Sequence, residues 1–204
     1  MDSARHRQRR LDPPPDGFNF TVHVRRLCDD MVSRLEPLRH VDMSQVAVSF
    51  CQTRRSGAQG MFASLTPLRF ASGSLYTVRR KRRWSIQRLY DPEGREMLYI
   101  LNFYLPRFLD LPYREKLLTV LHELWHVSPK FNGDVRRLGG RCFAHGSSQA
   151  AYDRQIEKLL AAWLALDPPA GVCEFLKYNF RQLVARHGRV FGRRVPTPKL
   201  VPAD

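Results

Sequence analysis

From Phe18 to Leu38 apolar residues recur at helical spacing (Phe20, Val24, Leu27, Met31, Leu35), and Pro37 stands where such a helix must end. The period then changes. Val46, Val48 and Phe50 alternate with polar neighbours, the signature of a half-buried strand. Strand-like stretches follow at Met61 to Phe70, Ser74 to Val78, Trp84 to Tyr90 and Glu96 to Tyr104, with Asp91-Pro92-Glu93-Gly94 as a hairpin turn, so the pattern predicts a small antiparallel or mixed sheet. After Leu111-Pro112 the stretch to Val127 is apolar around most of a helical circumference (Leu117, Leu118, Val120, Leu121, Leu124, Trp125). That predicts a buried helix closed by Ser128-Pro129. A loop rich in glycine and arginine runs on to Gly146. Ser147 or Ser148 then caps a helix with the stripe Tyr152, Ile156, Leu159, Leu160, Trp163 and Leu164, stopped by Asp167-Pro168-Pro169. A third helix is expected over about 172 to 187, ending at His187-Gly188. One helix, a small twisted sheet, a buried helix and two C-terminal helices make an α+β architecture.

Composition sets the scale of this fold. With 43% hydrophobic residues in 204, the chain can bury one sizeable core, so a single main domain is expected over residues 18–188. Residues 1–17, basic and then proline-rich, read as a flexible arm, and 189–204 as a basic C-terminal tail. No apolar run follows the N-terminal charges and none reaches ~18 residues elsewhere, so neither a secretory signal nor a membrane span is expected. Cys28, Cys51, Cys142 and Cys173 form no CxxC pair, which argues against a zinc ribbon and a disulfide scaffold and for a reducing, cytoplasmic setting.

Charge adds a second theme. The 34 Lys and Arg against 19 Asp and Glu leave +15, a field that favours polyanions such as nucleic acid. Arg79, Arg80, Lys81, Arg82 and Arg83 repel one another too strongly to be buried and are expected in an exposed loop. Together with Arg136, Arg137, Arg141, Arg189, Arg193 and Arg194 they are candidate phosphate contacts.

The chemistry concentrates in His122-Glu123-Leu124-Trp125-His126, an H-E-x-x-H pattern. Two histidines four apart on a helix lie about 40° apart around its axis, so both imidazoles can reach one tetrahedral Zn²⁺. Glu123, at the edge of that face, can take a proton from a water on the metal and pass it to a leaving amine. Glu115, Thr119, His122 and His126 form one polar stripe on the helix. A catalytic zinc needs a third protein ligand and an open position. His145, in Ala144-His145-Gly146 and 19 residues after His126, is the first candidate, with Asp134, Asp153 and Glu157 as competitors. Asp134, inside Asn132-Gly133-Asp134-Val135-Arg136-Arg137, suits an acid that orients its loop through an arginine pair. Asp153 and Glu157, four apart on the next helix, could hydrogen-bond a ligand histidine or lie on a solvated face. Tyr152 could donate to an oxyanion, although its place in the apolar stripe points to core packing. His6, His23, His40 and His187 have no partner at useful spacing and are expected at the surface.

The blocks HELWH (122–126), FNGDVRR (131–137) and HGSS (145–148), after the strand Met97-Leu98-Tyr99-Ile100, resemble a metallopeptidase domain family found in phage and bacterial genomes. The resemblance covers about residues 20 to 166, with its motifs concentrated in 118 to 153. An HExxH followed by a short basic loop and a His-Gly is also similar, more loosely, to SprT and Spartan-type proteases. The interval from His126 to His145 departs from theirs, and these cysteines allow no downstream zinc ribbon. The resemblance implies a mini-zincin with His122, His126 and His145 as ligands of one zinc per chain and Glu123 as the base. The function expected is therefore hydrolysis of peptide bonds in a peptide or protein substrate, an extended segment of which pairs with a sheet edge at the strand Glu96 to Tyr104. The other reading is a nucleic-acid-associated basic protein, whose zinc is structural or which acts on DNA-bound proteins.

Overall fold

The computed structural model describes residues 16–53, 60–138 and 148–203, which fold as a mixed α+β chain. The N-terminal arm lies almost wholly outside these residues. Strand β1 (Phe18–Asn19) leads into helix α1 (Phe20–Arg34), whose first turn is capped by the Asn19 side chain accepting from the Val22 N–H at 3.2 Å. The predicted apolar positions Phe20, Val24, Leu27 and Met31 are all buried. The turn Glu36–Leu38 that follows is 3₁₀, with Pro37 inside it.

Three strands make the central sheet: β2 (Val46–Gln52), β3 (Ala63–Pro67) and, from later in the chain, β6 (Tyr99–Leu105). Strand β6 lies in the middle, parallel to β2 and antiparallel to β3. Its odd positions, Tyr99, Leu101, Phe103 and Leu105, join Val46, Val48 and Ala63 in the main core. Ile100, on the opposite face, packs with Leu68, Met97 and Val195 in a second, smaller core. Burial on both faces explains the near-continuous apolar run of this strand. It also corrects an expectation: the strand over Glu96 to Tyr104 offers no free edge, because a neighbour pairs with it on either side. Among the described residues, β3 is paired on one side only.

Strands β4 (Tyr76–Arg79) and β5 (Arg82–Ile86) form a hairpin that does not join this sheet. Arg80 and Lys81, with φ of 50° and 62°, make its two-residue turn, and Arg79 to Arg83 are exposed. Asp91 to Gly94 form the expected turn, with the Gly94 N–H donating to the Asp91 carbonyl at 3.1 Å.

After a short helical turn α2 (Arg107–Asp110), helix α3 (Tyr113–Trp125) crosses the core, burying Leu117, Val120, Leu121 and Leu124. Each contributes about 1.5–3 kcal/mol by burial, enough to carry the polar residues Lys116 and Glu123 inside on the same helix. Lys116 is satisfied there, its Nζ donating to the carbonyls of Leu176 and Tyr178 at 2.8 Å each. Helix α4 (Gln149–Ala165) packs beside α3, capped by Ser148 at the Ala151 N–H. The predicted stripe faces inward except Leu164, which is 48% exposed. Trp163 ties this helix to α1 through its Nε1 donating to Asp30 at 2.8 Å.

The single helix expected over about 172 to 187 is instead three pieces: α5 (Ala170–Cys173), a 3₁₀ turn (Glu174–Lys177) and α6 (Phe180–His187). Asn179 and Gln182 form a reciprocal capping box that starts a new helix, while Lys116 takes the carbonyls at the break. Nor do residues 189–203 trail away as a tail. Strand β7 (Val190–Phe191) pairs with β1, Val195 is buried, and strand β8 (Leu200–Pro202) pairs with β5. Among the described residues, no helix is long and apolar enough to cross a membrane.

Candidate metal centre

Helix α3 ends at Trp125 and His126 is its C-cap, so the two histidines stand one turn apart at the exit of the helix. Their Nε2 atoms face each other at 3.1 Å, with ring planes at 80°. Two nitrogens each about 2.0–2.1 Å from a tetrahedral zinc are about 3.3 Å apart, so the pair is already spaced as two ligands of one ion, and imidazole nitrogens suit it chemically. Among the described residues, no group of three His, Cys, Asp or Glu side chains is gathered for a metal. His145 lies outside the described residues, as does Arg141.

Glu123 is 8% exposed and lines the same cleft as His122. Burial pushes its carboxyl up to about 7, opposed by the nearby backbone N–H of Leu65. That N–H is available for a reason of register. The Tyr104 N–H donates to the Phe62 carbonyl, and bonded pairs alternate along an antiparallel ladder, so the amide groups of Ala63 and Leu65 turn away from β6.

Tyr152 reaches the centre from α4. Its hydroxyl lies 3.1 Å from the His122 carbonyl oxygen and 3.4 Å from both ring nitrogens of His126. Its ring packs against both imidazoles. Burial, and then the charge of Glu123, push the phenol far above its usual range, so it keeps its proton and acts as a donor. The apolar stripe on α4 thus does two jobs at this residue: the ring fills the core and the hydroxyl faces the histidines.

Asp134 is engaged elsewhere. Its carboxylate accepts from the N–H groups of Ser72 and Val135 at 2.8 Å and from Arg137 at 2.8 and 3.0 Å. Burial raises its pKa, but these donors outweigh it and hold the carboxyl below its ordinary value. The loop so fixed folds back on the helix end: the Arg136 N–H donates to the His126 carbonyl at 2.7 Å, and the Arg136 guanidinium sits 3.7 Å from the centre of the Trp125 ring. Asp134 therefore shapes the loop that holds His126. Asp153 accepts from Gln149 at 2.7 Å, and Glu157 pairs with Arg114 at 2.6 Å, so neither carboxylate is hydrogen-bonded to a histidine in the described structure. Both line the cleft, which holds about 550 Å³ and is also bordered by Met61, Phe62 and Glu115. Among the described residues of that lining every charged one is a carboxylate, and these offset locally the repulsion that a chain of +15 would exert on a divalent cation.

Of the other histidines, His23 is half-buried, stacked on Phe18 at 4.2 Å, and His40 is half-buried as well, its pKa lowered by desolvation and then by Arg136. The Leu65 contact was not foreseeable, because alternation in β3 says which face a residue takes and nothing about which amides are left unpaired. Comparison with family models, curated proteins and solved structures gives no match for this chain.

Proposed function

We propose that this chain is a zinc-dependent peptidase of the mini-zincin type. The reading rests on one observation: the Nε2 atoms of His122 and His126 converge at 3.1 Å, beside a cleft lined by His122 and the buried carboxyl of Glu123. The two imidazoles would hold the metal, with His145 as the third ligand that the resemblance implies. Zinc, when bound, polarises the scissile carbonyl and makes water a nucleophile near neutral pH.

The chain's own residues handle protons and position substrate. Glu123, held by burial in the range where it both accepts and releases a proton near neutrality, takes one from the attacking water and delivers it to the departing amine. Tyr152, which keeps its proton, orients His122 and His126 and has a donor to offer a developing negative charge. The edge of β3 at Ala63, unpaired among the described residues, is where an extended peptide would add as a further strand, with Met61 and Phe62 forming the wall beside it.

Two variants test this together. Glu123→Gln should keep about one zinc per chain while cleavage of an unfolded protein such as casein falls about 10²–10⁴-fold; His122→Ala should lose both. Purified protein without zinc, or full cleavage by Glu123→Gln, would sink the proposal.

A further inference from the structure

Strand β8 brings together two segments that are remote in sequence and alike in charge. Residues 74–90 hold Arg79, Arg80, Lys81, Arg82, Arg83 and Arg88, residues 189–203 hold Arg189, Arg193, Arg194 and Lys199, and neither segment contains a single carboxylate. Their pairing in the β4–β5–β8 sheet builds a surface that no local stretch possesses.

The register decides what each face carries. Thr77 pairs with Trp84, Arg79 with Arg82, and Ile86 with Leu200, so these side chains share one face. At one end of that face Ile86 packs onto the small core; towards the hairpin tip a groove of about 490 Å³ is lined by Arg79, Arg80, Arg82, Trp84 and Leu200. Arg83 points to the other face, where its guanidinium already lies 4.2 Å from the centre of the Tyr76 ring. Among the described residues none of the five cations from Arg79 to Arg83 has an acidic partner, whereas Arg34, Arg69, Arg114 and Arg137 all do.

The turn itself points the same way. Arg80 and Lys81 both hold left-handed backbone conformations, which asparagine and glycine adopt with least strain. Two cations stand there instead, at positions where backbone preference favours neither.

We infer that this groove binds single-stranded nucleic acid, with an unpaired base lying on Trp84 and Leu200 and the guanidiniums of Arg79, Arg80 and Arg82 on the flanking phosphates. A duplex satisfies the cations but hides its base faces; an acidic peptide satisfies them but leaves the apolar floor uncovered. Sequence-tolerant stacking on an aromatic floor, with cations tracking the backbone, is the general physics of single-strand binding.

The test uses the full chain with chelator present, which separates the result from the peptidase reading, and a fluorescent oligothymidine of about 20 nucleotides followed by anisotropy. The wild type should bind it more tightly than a duplex of equal length or polyglutamate, with affinity falling steeply as salt rises. Trp84→Ala should weaken binding about five- to a hundredfold at an unchanged salt slope, and Trp84→Phe should restore most of it. The double substitution Arg80→Asn/Lys81→Gly should lower the logarithmic salt slope by about 1 to 1.5 and weaken binding, while thermal stability stays level or rises. Folded Trp84→Ala that binds like wild type, or polyglutamate, duplex or anionic vesicles binding as well as the oligonucleotide, would overturn the assignment.

Discussion

The backbone N–H of Leu65 lowers the pKa of the Glu123 carboxyl while burial raises it, which couples strand β3 of the central sheet to the helix that carries the histidine pair. A nearby amide dipole favours the ionised carboxylate, so it tunes the proposed base from outside its own helix. Proline at this position removes the donor, and it leaves the ladder to β6 intact because this N–H does not belong to it. In Leu65→Pro the acid limb of the kcat/KM profile should move to higher pH, because a group that favours the ionised carboxyl is lost. Zinc content should not change; an unmoved profile would show that this N–H has no part in the chemistry.

Tyr152 touches both proposed ligands through one hydroxyl. Tyr152→Phe keeps the ring in the core and deletes only that contact, so folding should be preserved while zinc affinity or turnover falls about 10–100-fold. Competition with a zinc-sensitive dye separates the two effects. Wild-type values for both would reduce the hydroxyl to a packing detail.

Asp134 makes a different prediction, about stability and its pH dependence. Asp134→Ala strands the N–H groups of Ser72 and Val135 and releases Arg137, for a loss of about 3 kcal/mol in urea denaturation. The folded carboxyl titrates below its ordinary 3.8, so its stabilisation is complete above that value and fades as pH falls through the lower, folded one. Wild type should therefore lose its advantage over Asp134→Asn on acidification, and a constant difference down to strongly acid pH would contradict the network.

Lys116 has the opposite sign. Burial pushes its ammonium down to about 8 from 10.5, so between those values the unfolded chain binds more protons than the folded one and stability gains with rising pH. Below about 8 the full penalty for a buried charge is present. The stability of wild type relative to Lys116→Met should thus improve from pH 7.5 towards 10, as measured by paired thermal melts. A flat difference would mean that the Leu176 and Tyr178 carbonyls stabilise the charged form fully.

Local pattern determined a good deal of this protein. The apolar period of α1, α3 and α4 was legible because burial of one helical face is written every three or four residues, and Ser148 and the Asp167-Pro168-Pro169 stop marked where α4 begins and ends. The HELWH spacing likewise brought His122 and His126 together, since four residues on a helix is a fixed geometry. The Asn179 and Gln182 capping box is local as well, yet the apolar period over 172 to 187 overrode it and gave one helix where this box divides the stretch.

What tertiary structure alone decided was partnership across long intervals. A strand's alternation states which residues face inward, but not whether it has neighbours on one side or two; hence β6 proved central and β3 the strand beside the cleft. In the same way only packing turned the Tyr152 hydroxyl onto the histidines, buried Lys116 against two carbonyls, and set β8 beside the cationic hairpin. Such contacts follow from surfaces that must be covered and polar groups that must be paired once the chain is compact, and neither requirement can be read from a window of neighbouring residues.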